Sequence, residues 1–326
     1  MRCDLHVHSR RSGCCNLPVL RSLIDECYSE PEEIYARARA RGMDLVTITD
    51  HDRIDGALEI AHLPGTFVSE ELTVALPGGR QLHLGVFDVR EEQHERMQGL
   101  RGDAEALFAY LSGQRLPACL NHPFAALTGK RETADYELPL RRLRLVEAIN
   151  GAMPEDQNEL ARRAGRAAGL AGVGGSDAHA LAFVARSFTT VAGGRCKEDF
   201  IAGLRRGLTV PGGRSGSSSR LASEMARVFT AACIDRALSA RKGGAVVRRF
   251  LGSLVLVPLF PIIPLAALVL HRRERRFARE HFRSLEAIAG WSFESPSPIS
   301  HRRSRPRRWA SSSRKSTGSR LVVTSM

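Results

Sequence analysis

Short apolar runs that end in histidine and aspartate recur through the first two thirds of this 326-residue chain. They include "DLHVHS" (Asp4 to Ser9), "LVTITDHD" (Leu45 to Asp52), "NHP" (Asn121 to Pro123) and "GVGGSDAH" (Gly172 to His179). Eight of the 11 histidines fall before residue 180. Imidazoles and carboxylates so far apart in sequence meet only if the fold gathers the ends of successive strands on one rim. A mostly parallel α/β sheet, open or closed, with helices outside, does that.

The pattern between the runs agrees. "SEPEEIYARARARG" (Ser29 to Gly42) reads as a helix, with Pro31 in its first turn, Glu32 and Glu33 at its positive end, arginines at the other, and Gly42 as the stop. Further helices are expected over 102–113, 155–168 and 197–206. "LVTIT" (45–49), Phe67–Val68, "HLGVF" (83–87), "ACL" (118–120), "LVEAI" (145–149) and "AGVGG" (171–175) read as strands.

Strand alternation makes the first motif chemically specific. Positions i and i+2 share a face, so His6 and His8 point the same way, ~6–7 Å apart at the backbone, and can grip one cation. Asp177 and His179 repeat that spacing. Buried imidazoles and carboxylates are costly unless something satisfies them, and a divalent metal does so. His62 and His94 read as ordinary solvated or hydrogen-bonded histidines, whereas for His83, at the head of "HLGVF", ligand and structural readings stay open. Asp4 and Asp50 read as groups that orient imidazoles.

The ordered set "DLHVHS", "TDHD", "SEELT", "NHP" and "GSDAH" resembles the PHP (polymerase and histidinol phosphatase) family over roughly residues 2–210. The resemblance implies a distorted seven-stranded β/α barrel, with two or three divalent ions (Mn, Zn or Fe) at its C-terminal rim, and phosphoester hydrolysis. By position it implies that His6, His8 and Asp177 hold a first metal. Glu71 would bridge it to a second, with Glu70 the alternative if the register slips. His122 would hold the second, with His83 or, less well, His94. His51 and His179 would serve a third. In many members an aspartate of that third site follows the first motif, and here "SGCC" (Ser12 to Cys15) puts Gly13 in its place. The third metal is then absent, weakly held, or held by Cys14 or Cys15, soft ligands that favour zinc.

Asp177, His179, His51 and Arg53 are the catalytic candidates, with Arg10 and Arg11 as further phosphate-gripping groups. A metal-activated water removes the need for a serine or cysteine nucleophile. The expected substrate is a phosphorylated small molecule or nucleotide, as monoester or diester. Exonuclease-like cleavage and a catalytically degenerate metal-binding module are the alternatives.

The last third differs in character. Residues 214–326 hold 22 Lys/Arg against 6 Asp/Glu, whereas residues 1–213 hold 26 against 29. The expected organisation is a catalytic domain over 1–211, a linker and helix over 212–249, an apolar membrane segment over 250–270, and a largely disordered basic tail over 271–326. "GGRSGSSS" (Gly212 to Ser219) reads as flexible by composition. Phe250 to Leu270 carries no charge across 21 residues and has basic flanks, which suggests membrane lipid as a partner, as a span or a hairpin. Pro258, Pro261 and Pro264 oppose a straight helix. "HRRSRPRR" (His301 to Arg308) can attract nucleic-acid phosphates, the lesser expectation. The seven cysteines form no CxxC pair, and the chain starts without a signal peptide pattern. Both suggest a reducing, cytoplasmic setting for the catalytic domain, associated with a membrane through the C-terminal segment.

Overall fold

The structure, a computed structural model, describes residues 1–13, 24–126, 131–132, 134–240 and 257–288. All of them lie in one compact unit, Met1–Ser292; the other unit, Phe293–Met326, falls outside the described residues. Helix α1 (Pro31–Ala40) begins at the proline, where a missing N–H costs nothing, and its chain turns at Gly42, whose φ of 77° suits glycine. Next come α2 (Asp55–Glu59), the strands β2 (Ser69–Ala75) and β3 (Gln81–Phe87), and the helices α3 (Glu91–Leu100) and α4 (Ala104–Gly113). Strand β4 (Ala118–Leu120), α5 (Ala134–Arg142), β5 (Leu145–Asn150), α6 (Glu155–Ala167) and β6 (Ala171–Gly175) continue the alternation. The short β1 (Arg2–Cys3) joins β7 (Ser187–Thr190) and β8 (Val210–Gly213), with α7 (Lys197–Arg206) between the last two.

Five strands form one sheet in the order β2-β3-β4-β5-β6, and β1-β7-β8 form a second. The sheet is less parallel than the sequence suggests. Strand β3 runs against both neighbours, because Pro77–Gly79 turns the chain in a tight hairpin with Gly78 and Gly79 at positive φ. The regular ladders do not close into one barrel.

Two expected strands, at Asp4–Ser9 and Leu45–Thr49, are extended segments held by single bridges instead. Val7 bridges Ala178, Val46 bridges Thr66, and His51 bridges Glu71, all in parallel. Threonine hydroxyls take the place of part of the ladder: Thr49 Oγ1 accepts from Val7 N at 3.0 Å, and Thr47 Oγ1 donates to Phe67 O at 2.7 Å. With these, an unbroken chain of backbone contacts links seven segments. One buried cluster takes a side chain from each of them: Leu5, Leu45, Phe67, Phe87, Cys119, Leu145 and Val173. On the outside, α4 and α6 cover β2 to β5 through Phe108, Leu111, Leu160 and Ala164. Helices α1 and α2 cover the bridged segments through Ile34, Ala38 and Ala57.

The stretch read as a flexible linker is packed. Gly212 and Gly213 belong to β8, and Gly216 N donates to Met153 O at 2.7 Å, with a parallel bridge between Pro154 and Gly216. Its glycines serve close backbone approach, which composition alone does not separate from flexibility. Helix α8 (Ser218–Ala240) follows. The apolar segment is interrupted. Residues 250–256 lie outside the described residues, 257–262 form a 3₁₀ turn, and 263–270 open a 26-residue helix, α9 (Ile263–Ile288). The prolines account for the break: Pro261 closes the 3₁₀ turn and Pro264 sits in the first turn of α9. Residues 271–288, expected in a disordered tail, are therefore helical. Among the described residues no helix is long and apolar enough to cross a membrane. The nucleic-acid-like run at His301–Arg308 lies outside them.

Candidate metal centre

Strands and the segments beside them carry the chemistry to one place. Glu71, in the middle of β2, lies at the centre of a closed ring of five imidazoles. The rings of His6, His8, His51, His83 and His122 succeed one another at centroid distances of 5.1, 4.8, 5.0 and 5.2 Å, and His122 returns to His6 at 5.4 Å. Glu71 Oε2 is 3.1 Å from His6 Nε2, 3.4 Å from His8 Nε2 and 3.2 Å from His51 Nδ1. Its Oε1 is 3.4 Å from His83 Nδ1 and 3.0 Å from His122 Nε2. His179 stacks on His8 at 4.5 Å, and Asp177 Oδ1 lies 3.6 Å from His6 Nε2 and 3.4 Å from His8 Nε2.

The eight histidines and carboxylates singled out as ligands are thus together, with Glu71 rather than Glu70 facing the centre. Glu70 turns away to bond His94 Nδ1 at 3.0 Å and Gln98 Nε2 at 2.9 Å, which removes His94 as well. Arg53 is exposed and bonds Asp55; Arg11 bonds Glu59; Arg10 pairs with Glu30 and Asp235. Cys14 and Cys15 lie outside the described residues.

The carboxylate that the sequence left without a place is Glu26. Its Oε1 is 3.8 Å from His8 Nδ1 and 3.7 Å from His51 Nε2, and Ser12 Oγ donates to it at 2.5 Å. Gly13 O accepts from Glu26 N, so Glu26 stands beside the end of the first motif. No local motif marks Glu26; its place comes from this contact with Gly13, thirteen residues earlier in the chain.

Other groups fix the rings. His6 Nδ1 bonds Glu147 Oε1 at 2.9 Å, and His8 Nδ1 meets Ser12 Oγ at 3.2 Å. With the proton on His6 Nδ1, Nε2 offers a lone pair toward His8, Glu71 and Asp177. Asp4 and Asp50 do not touch imidazoles. Asp4 accepts from Ser176 N, Ser176 Oγ, Ala185 N and His6 N, which ties the first segment to the last. Asp50 accepts from Ser9 N and Ser9 Oγ at 2.6 and 2.7 Å. Fully buried carboxylates take backbone amides here because those are the donors within reach. A glycine is required at 175: a Cβ there would strike His6 Cβ and come within 2.9 Å of His6 N.

The electrostatics follow from packing imidazoles and carboxylates together out of water. Burial favours a neutral Glu71, but His6, His51 and His83 overturn this and hold its carboxyl well below the ordinary value. Asp177 is held down in the same way by His6, His8 and His179. Burial, aided by His179, pushes His8 down to about 4, and burial pushes Glu26 up to about 7. Glu71 Oε2, His83 Nδ1 and His122 Nδ1 are buried without a hydrogen-bond partner. An oxygen with three imidazole nitrogens within 3.4 Å and no hydrogen bond fits a divalent ion between them, as does the mixed N and O donor set. Among the described residues, four groups of three ligands meet the spacing for an ion: His6–His8–Asp177, His6–Glu71–His122, His51–Glu71–His83 and His8–Glu26–His51.

Residues 155–209, which run from α6 through β6 and β7 to α7 and include Asp177 and His179, match the PHP-associated family model. An uncharacterized protein of Methanocaldococcus jannaschii is 34% identical over 67 residues, 21% of this chain and 38% of that protein. The match thus spans well under two thirds of that relative. Among solved structures, PsfC of Pseudomonas syringae aligns with a TM-score of 0.46 at 17% identity, over 72% of this chain and 96% of that one. A candidate metal-dependent phosphoesterase of Bifidobacterium adolescentis aligns at 0.39 and 17%, over 55% and 88%. These two likenesses are too remote to extend the reading. The matched segment, residues 155–209, carries Asp177 and His179 of the motif set and is similar to the PHP-associated family.

Proposed function

We propose that the chain is a metal-dependent phosphoesterase. The observation that carries this reading is the ring of five imidazoles around Glu71, with Asp177, Glu26 and His179 at its edge. His6, His8 and Asp177 would hold one divalent ion, and His122 and His83 a second, with Glu71 shared between them. Glu26, His51 and His179 would hold a third, so Glu26 replaces the carboxylate missing at Gly13. Bound there, divalent ions lower the pKa of a water for attack on phosphorus and offset the charge on the phosphoryl oxygens.

The chain's own groups set the rest. Glu147 fixes the tautomer of His6, and Asp4 and Asp50 fix the backbone on which His6, His8 and Ser9 stand. His51 and His179, at 16% and 26% side-chain exposure, are the most open imidazoles of the cluster and line its mouth toward substrate. The seven bridged segments, with one core side chain from each, support a distorted β/α barrel within residues 1–211. The substrate class is a phosphomonoester or phosphodiester of a small molecule or nucleotide.

Membrane association of the C-terminal part is a separate reading, favoured by Ile262, Leu265 and Val269 exposed beside the arginines of α9. Flotation of the full chain with anionic vesicles tests it, and a chain that stays with the soluble fraction contradicts it. For the enzyme, the test is turnover of generic phosphomonoesters and diesters by the metal-reconstituted full chain. Hydrolysis lost in His8→Ala supports the reading. Bound metal without turnover across the panel points instead to a degenerate metal-binding module.

A further inference from the structure

We propose that Arg220 and Glu224 of α8 are positioning residues that clamp the segment carrying Asp177 and His179. This rests on the reading of those two residues as metal ligands. The segment needs holding. Strand β6 stops at Gly175, and Asp177 then adopts φ 49°, in the left-handed region that a non-glycine residue avoids. Bonds to the first motif secure one side: Asp177 N donates to His6 O at 2.7 Å, and His8 N to Ala178 O at 3.1 Å.

Helix α8 secures the other side. Arg220 Nη2 donates to Ser176 O at 2.7 Å, and Glu224 Oε1 accepts from His179 N at 2.7 Å. One cation and one anion, a single helical turn apart, thus bracket Asp177, the first on the residue before it and the second two residues after it. They also face each other at 3.8 Å, with side chains only 10% and 7% exposed. Burying such a pair is unfavourable unless its geometry is specific, so general helix stability does not account for it.

The surroundings are shaped to admit the clamp. The guanidinium lies over the Phe183 ring at 5.0 Å. Residue 151 has to be glycine, because a Cβ there would stand 2.5 Å from Arg220 Nη1 and 2.9 Å from Ser176 O. The bridge from Gly216 to Pro154 fixes where α8 begins. Helix α8 lies beyond residues 155–209, the segment that matches the PHP-associated family model.

The test uses the full chain stripped of metal, with Mn2+ as the probe in a competition titration. Each variant's folding is checked by circular dichroism in chelator. Glu224→Ala is expected to weaken the looser Mn2+ sites roughly 10- to 100-fold. Glu224→Gln keeps an oxygen for the His179 amide and is expected to recover most of that loss. Arg220→Met is the second removal, used if Glu224→Ala does not fold. Phe229→Leu loosens α8 packing without touching the segment and is expected to bind Mn2+ as the parent does. Parent-like binding in the clamp variants, or equal weakening in Phe229→Leu, overturns the clamp. Parent-like Mn2+ binding in Asp177→Ala overturns the ligand reading beneath it, so the two failures are told apart.

Discussion

Glu147→Gln is nearly isosteric, and its consequences can be worked from the hydrogen bonds alone. Glu147 is 2% exposed in the middle of β5. Its Oε1 takes the proton of His6 Nδ1, and its Oε2 accepts from His122 N at 2.8 Å and Asn150 Nδ2 at 2.9 Å. A glutamine has one acceptor and one donor end, so one side must fail. With NH2 toward His122 and Asn150, two buried donors lose a charged acceptor. At about 1–3 kcal/mol each, the fold loses roughly 2–6 kcal/mol. With NH2 toward His6, the imidazole has to move its proton to Nε2, the atom aimed at Glu71 and Asp177. Metal affinity then falls about 10- to 100-fold. Urea denaturation of the metal-free full chain reads the first outcome, and competitive metal titration reads the second. The reasoning is refuted if stability stays within about 0.5 kcal/mol of the parent, the range of an ordinary surface change, and metal affinity is also unchanged.

Three further perturbations separate parts of the account. Glu26→Ala should reduce bound metal by one ion per chain, read by elemental analysis, while Cys14→Ser and Cys15→Ser leave the count unchanged; the reverse pattern would assign the third site to a thiol. Gly175→Ala should destabilise the chain by about 1–3 kcal/mol in urea, since the methyl has no room beside His6. Asp50→Asn should change the pH dependence of stability. Burial raises the Asp50 carboxyl to about 6, so its contribution is most favourable below its unfolded value near 4 and is lost as pH rises through about 6. The asparagine variant should therefore gain on the parent by up to about 3 kcal/mol between pH 4 and 7, and a pH-independent difference would contradict this.

How far the sequence reached depended on what each residue's role required. The i, i+2 histidines were legible because alternation needs only an extended backbone. His6 and His8 share a face even though their segment forms a single bridge and no regular strand. Helix α1 was legible through its first-turn proline and charge order, and α4, α6 and α7 fall where helices were expected. Strand β2 was hidden because Glu70 and Glu71 interrupt its apolar pattern, although "SEELTVA" is buried on both faces over most of its length. Glu147 carried a signal of the same kind, a lone carboxylate inside "LVEAI". Glu26 and Glu224 carried none, since their places come from a contact with Gly13 and from helix docking. The reversal of β3 follows from the proline–glycine turn at Pro77–Gly79.

Anomalous diffraction from metal-soaked crystals of the full chain, collected at the Mn edge, tests the central claim most directly. The account predicts peaks between His6, His8 and Asp177 and between Glu71, His83 and His122, with a third beside Glu26 and His51. A chain that crystallises with Mn2+ in excess and shows no peak within the imidazole ring around Glu71 would contradict it.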